Sequence, residues 1–129
     1  MQQDIINDAL FSIKNAERCG KKDCIVKPTS KLLGRVLKVM QEHGYIGNFD
    51  YIKDGRGGMY RVELTKQINE CGVIKPRFSV GKVDFKKYEE RFLPGQDFGV
   101  IILTTTKGVM SHYKAKELGI GGKLIAYVY

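Results

Sequence analysis

Four consecutive apolar residues, Val100-Ile101-Ile102-Leu103, form the centre of the run from Phe98 to Thr106. Successive side chains of a β-strand point to opposite faces, so this run predicts a strand buried on both sides. It has to lie inside the fold, and everything else in the chain has to cover it.

The remaining pattern alternates helices and strands. Ile5, Ile6, Ala9, Leu10, Ile13 and Ala16 make one apolar stripe between Asp4 and Cys19, which predicts a helix stopped by Gly20. Lys14 lies off that stripe. A basic turn and short strand follow over 21–27, ended by Pro28. Thr29 or Ser30 is a natural N-cap for a second helix reaching His43, with Leu32, Leu33, Val36, Leu37 and Met40 on its buried side and Gly44 after it. Tyr45–Lys53 and Met59–Leu64 flank a glycine-rich turn and read as a hairpin.

Residues 65–72 are polar and without strong period, so a boundary is expected there. Beyond it, 73–80 reads as an edge strand bent at Lys75-Pro76-Arg77, because proline has no N–H to give a neighbouring strand. A short helix over 84–92, the buried strand, a helix over 112–118 capped by Ser111, and a last strand over 120–129 complete the chain. The expected class is α+β with two small domains. Residues 1–66 form an N-terminal α-β-α-β-β unit, and residues 67–129 a C-terminal, mostly antiparallel β unit with short helices.

Charge narrows the partner. The 129 residues hold 22 Lys and Arg against 14 Asp and Glu, a net charge of +8. The surplus is spread along the chain: residues 1–65 hold 11 basic and 8 acidic side chains, residues 66–129 hold 11 and 6. A dispersed positive surface attracts a polyanion, since each neutralised phosphate releases condensed counterions. Charge alone fits an RNA binder and a merely soluble basic protein equally.

Other classes find little support. The longest apolar run, Leu124 to Tyr129, is far shorter than the roughly 18 residues of a membrane helix, and no signal peptide opens the chain, so a cytosolic protein is expected. Cys19, Cys24 and Cys71 have no metal-binding spacing and read as reduced thiols; no metal or cofactor is expected. His43 and His112 lack a nearby nucleophile-and-carboxylate pattern, so no enzyme is expected. A DNA-binding regulator would use the helix after Thr29, whose exposed Lys31, Arg35 and Lys38 suit phosphates better than base edges.

The unusual local feature is the end of the buried strand. Thr104-Thr105-Thr106-Lys107-Gly108 joins three hydroxyls, a cation and a backbone free to turn. Hydroxyls donate and accept, so they suit bases, riboses and phosphates. Threonine also favours strands, and the same residues equally make a plain strand end. Gly121-Gly122-Lys123 repeats the pairing of flexible backbone and cation. Tyr127 and Tyr129 alternate on the last strand and face one side, where they suit base stacking or packing.

The stretch Gly99 to Met110, continuing through Ala115, Gly119 and Gly121-Gly122 to Tyr127-Val128, closely resembles the signature of the universal small-subunit ribosomal protein S-eight family. Asp4, Asp8, Leu10, Ile13 and Asn15, then Pro28-Thr29-Ser30-Lys31-Leu32, then Gly44-Tyr45-Ile46 and Phe49 follow that family's order. The resemblance spans the chain. It implies a two-domain, non-catalytic protein of the small ribosomal subunit that binds the central domain of small-subunit ribosomal RNA, beside neighbouring ribosomal proteins and without a small-molecule substrate. Binding of its own messenger RNA is a secondary implication. By position, the family's RNA-reading loop carries over to Thr104, Thr105 and Thr106, with Lys107 and Gly108 beside it; N-terminal contacts carry over to Lys14, Asn15, Thr29, Ser30 and Lys31. The basic bend at Lys75 and Arg77 and the Gly121-Gly122-Lys123 turn join the candidate surface. Bacterial members usually have Ser-Thr-Ser at the loop and an acidic residue at Lys123; this chain departs at both. Its closing Gly122–Tyr129 segment looks archaeal.

Overall fold

A computed structural model describes residues 5–27, 30–53, 55, 58–75, 77–81, 83–95 and 98–129. Helix α1 (Ile5–Arg18) is followed by β1 (Asp23–Val26), α2 (Lys31–Glu42), β2 (Ile46–Ile52) and β3 (Met59–Leu64). β3 lies between β1 and β2 in an antiparallel three-stranded sheet. This is the α-β-α-β-β order expected. Of the two candidate caps, Thr29 and Ser30, it is Ser30 that caps α2: its side chain accepts the Leu33 N–H at 3.0 Å, which satisfies an otherwise orphaned helix donor. Pro28 and Thr29 lie outside the described residues, as do Asp4, Pro76 and part of the β2–β3 turn.

The second half holds β4 (Cys71–Val73), β5 (Ser79–Val80), α3 (Phe85–Phe92), β6 (Val100–Thr105), β7 (Gly108–Ser111), α4 (His112–Leu118) and β8 (Gly122–Val128). The sheet runs β4-β8-β6-β7, with β5 also paired to β8, all antiparallel. Strand β7 is an addition to the sequence reading. Gly108 to Ser111 is short and adjoins a helix cap, so it carries no periodicity of its own. The expected edge strand over 73–80 is two pieces, β4 and β5. The Ile74 N–H to Ile125 O and Leu124 N–H to Phe78 O bonds, each 2.9 Å, hold the intervening bend against β8.

The buried strand behaves as its composition requires. Val100, Ile101, Ile102 and Leu103 are all at most 3% exposed. Val100 and Ile102 join the core built with α1, α2 and the N-terminal sheet, while Ile101 and Leu103 face a second core with Phe85, Leu93, Met110 and Ala115. β6 is therefore the wall between two cores, and the first core crosses from one half of the chain to the other. The polar connector after β3 is tied down too. The Glu17 carboxylate on α1 accepts the N–H groups of Lys66 (3.1 Å) and Ile68 (3.2 Å), and Lys66 takes a left-handed φ of 62° between them.

Candidate nucleic-acid interface

The threonine segment is the tip of a tight hairpin. Thr105 pairs with Gly108 as the last rung of β6 and β7, leaving Thr106-Lys107 as the connection. Gly108 has φ +114° with nothing within 4 Å of an added Cβ, so conformation, not crowding, calls for glycine there. The three hydroxyls do different work. The Thr105 hydroxyl donates to Gly108 O at 2.9 Å and accepts the Lys107 N–H at 3.1 Å, closing the turn on itself. Thr104 is half-buried, and Thr106 and Lys107 are exposed. Thr105 thus shapes the tip that Thr106 and Lys107 present.

Strand register brings part of the second motif to the same end of the sheet. Lys123 lies opposite Thr104 on one side and Ser79 on the other, and Thr104 lies opposite Val109. A row Ser79, Lys123, Thr104, Val109 therefore crosses the sheet just behind the tip. Lys123 is exposed. The preceding glycines are present for room. An added Cβ at Gly121 would stand 2.1 Å from Val80 O, and at Gly122 2.1 Å from Thr104 O. They let β5 and β6 close on β8, and Lys123 then emerges from a fixed strand instead of a mobile loop. Nothing local in the sequence marks Ser79; only the register does.

Lys75 and Arg77 are exposed on the β8 edge. Lys14 and Asn15 belong elsewhere. Lys14 Nζ is 2.9 Å from Glu70 Oε1, with Arg18 3.5 Å from Oε2; the Lys14 hydrogen bond holds the Glu70 carboxyl below its ordinary value. Glu70 exchanges backbone bonds with Tyr129 at the far end of β8, roughly 20 Å from Lys123 at about 3.3 Å per strand residue. Asn15 is exposed on the same helix, and Lys31 is exposed at the start of α2. The Ser30 hydroxyl is engaged as a cap, and Thr29 lies outside the described residues.

The titratable groups closest to a catalytic arrangement are structural. His112 is 1% exposed; its Nδ1 accepts the Ile101 N–H at 3.0 Å, and its Nε2 lies 3.4 Å from Glu89 Oε1. Burial drives its pKa down to about 4, against the opposing pull of Glu89. Glu89 is also paired with Lys116. A cleft of about 430 Å³ between α3 and α4 is lined by Lys86, Glu89, Glu90, Leu93 and Lys116, and Glu89, the carboxylate beside His112, is engaged by Lys116. Burial raises the Cys71 thiol to about 12, far from a reactive thiolate. Among the described residues no three His, Cys, Asp or Glu side chains gather as a metal site, and no helix is long and apolar enough to cross a membrane.

The sequence profile of Ribosomal protein S8 matches residues 4–129. The chain belongs to the ribosomal protein S8 family. Family members named "Small ribosomal subunit protein uS8" align along its length. The one from Picrophilus torridus is 58% identical over 129 residues, covering all of both chains. That from Thermoplasma acidophilum is 57% identical over the same complete span. The Methanococcoides burtonii protein is 55% identical over 126 residues, 98% of this chain and 97% of its own. These relatives are archaeal, in keeping with the look of the closing strand. The family is a structural, non-enzymatic one, and the engaged states of His112, Glu89 and Cys71 accord with that.

Proposed function

We propose that the chain is a structural component of the small ribosomal subunit that binds folded ribosomal RNA of the subunit's central domain, next to neighbouring ribosomal proteins. One observation carries this reading: a hairpin locked by its own Thr105 hydroxyl presents Thr106 and Lys107, with Thr104 and Lys123 opposite each other just behind. Hydroxyls and cations on a rigid sheet end suit an irregular RNA surface, because a regular A-form major groove excludes side chains and shape is read instead. Lys75 and Arg77 extend the positive surface along the sheet edge. Of the N-terminal candidates, Asn15 and Lys31 are exposed and offer a separate contact, whereas Lys14 is tied to Glu70 and the Ser30 hydroxyl to its cap.

The test is a filter-binding titration of a central-domain ribosomal RNA fragment at fixed salt. Thr106→Ala with Lys107→Ala is expected to weaken binding about five-fold or more, on the order of 1 kcal/mol. The salt slope should also fall by about one for the lost cation. Unchanged affinity would remove the hairpin from the interface.

A further inference from the structure

Away from the hairpin, α3 and the end of β8 carry a continuous line of aromatic and cationic side chains. The Arg91 guanidinium lies 4.9 Å from the Phe78 ring centre and 5.3 Å from that of Phe92. Phe92 stacks with Tyr127 at 5.8 Å and 24°, and Tyr127 with Tyr129 at 6.2 Å and 20°. Phe98, 51% exposed, continues the line at 6.4 Å from Tyr129. At the other end Phe78 meets Tyr88 at 5.6 Å, and Lys87 lies 5.7 Å over the Tyr88 ring.

The line follows from spacing. Lys87 and Arg91 are four residues apart on α3, as are Tyr88 and Phe92, so a cationic stripe runs beside an aromatic one. Tyr127 and Tyr129, two apart at the end of β8, share one face. Gly72 opposite Tyr127 leaves space for its ring: an added Cβ would meet the Tyr127 hydroxyl oxygen at 3.0 Å. Tyr88, Phe92, Tyr127 and Tyr129 pack against the second core on one side and stay half-buried on the other.

We propose that this band is a second RNA contact, a stacking platform for an unpaired, single-stranded segment. Its chemistry selects that partner. Aromatic and guanidinium planes stack on any base, and cations interleaved with them meet the phosphates. The Glu70 carboxylate beside Tyr127 is already paired with Lys14 and Arg18, and Glu89 of α3 with Lys116; α3 itself carries Lys86, Lys87 and Arg91 against Glu89 and Glu90, so the local balance stays positive. An acidic protein segment would be attracted by the same cations, but the run of half-exposed rings fits a ladder of bases better.

The experiment uses the full chain and an oligouridylate of about ten nucleotides, which has no folded site for the hairpin. Phe98→Ala with Arg91→Gln is expected to lower its affinity about ten-fold, through loss of stacking and one cation. Affinity for the folded central-domain fragment should change less than two-fold. Thr106→Ala with Lys107→Ala should give the reverse pattern, so failure at the band is distinguishable from failure at the hairpin. Both band positions are exposed, and Arg91→Gln alone serves if the double variant loses its circular dichroism spectrum. Ultraviolet crosslinks of the bound oligouridylate should map to Phe92, Phe98, Tyr127 or Tyr129. Wild-type affinity in the band variants, or crosslinks confined to the hairpin, would overturn the proposal. So would crosslinks from these residues to a protein in assembled subunits.

Discussion

The two ends of the C-terminal sheet spend their polar groups in opposite ways. At the end where β6 begins, they are turned inward. His112 takes the Ile101 N–H, the Tyr113 hydroxyl donates to Gly99 O at 2.8 Å, and Glu70 and Tyr129 exchange backbone bonds while Lys14 neutralises the Glu70 carboxylate. At the end where β6 stops, Thr106, Lys107 and Lys123 face outward. The same strand is thus clasped at one end and presents a surface at the other. On the proposed reading, the fixed end holds the presented end rigid for an irregular RNA. Substitutions should therefore separate into those that cost stability and those that cost binding.

The sharpest test of where the presented surface begins is Gly122→Ala. Its Cβ would stand 2.1 Å from Thr104 O and 3.0 Å from Thr105 Cγ2, so β6 and β8 must part. We expect a loss of about 3 kcal/mol in chemical denaturation. A loss under 1 kcal/mol would mean that this glycine belongs to a yielding loop and that the sheet is loose up to Lys123.

The clasped end is tested by acid. His112 has its folded pKa depressed to about 4 from the ordinary 6.5, mainly by burial. Between those values the unfolded chain binds a proton that the folded chain refuses, so stability is complete above about pH 6.5 and falls as pH drops toward 4. The fall attributable to this group reaches up to about 3 kcal/mol. His112→Asn keeps a side-chain acceptor for the Ile101 N–H and cannot titrate. The stability advantage of the parent over this variant should shrink steadily from pH 7 to pH 4. A constant difference would show that His112 protonates freely in the fold.

Gly108→Ala is milder. The site has space but demands φ +114°, so strain of about 1–2 kcal/mol is expected, with the turn opening and RNA affinity falling alongside. Gly108 and Gly122 look alike in sequence, each next to a lysine, yet one is glycine for conformation and the other for room. A larger loss at Gly108 than at Gly122 would reverse that assignment.

Much of this was legible beforehand. The helices, a cap at Thr29 or Ser30, the Ser111 cap and the doubly buried β6 are visible because each rests on local period or local capping chemistry. Strand β7 was not, since four residues abutting a helix cap carry no period of their own. Register was not legible either. That Lys123 sits across from Thr104 and beside Ser79, while Lys14 sits at the far end of β8 tied to Glu70, is decided by long-range pairing. The threonines could be named as a group but not told apart, because their difference lies in two hydrogen bonds made by one hydroxyl.

That difference gives the smallest and most discriminating prediction. Thr105→Val keeps the shape and removes a hydroxyl that donates to Gly108 O and accepts from Lys107 N–H. It should cost about 1 kcal/mol of stability and lower RNA affinity only through the loosened turn. Thr106→Ala removes an exposed hydroxyl and should leave stability within about 0.5 kcal/mol while weakening RNA binding. Paired denaturation and filter-binding measurements on the two variants separate a positioning threonine from a contacting one. If Thr106→Ala costs the stability and Thr105→Val only the binding, the roles are exchanged and the Thr105 hydroxyl faces the RNA, its two turn bonds giving way in the complex.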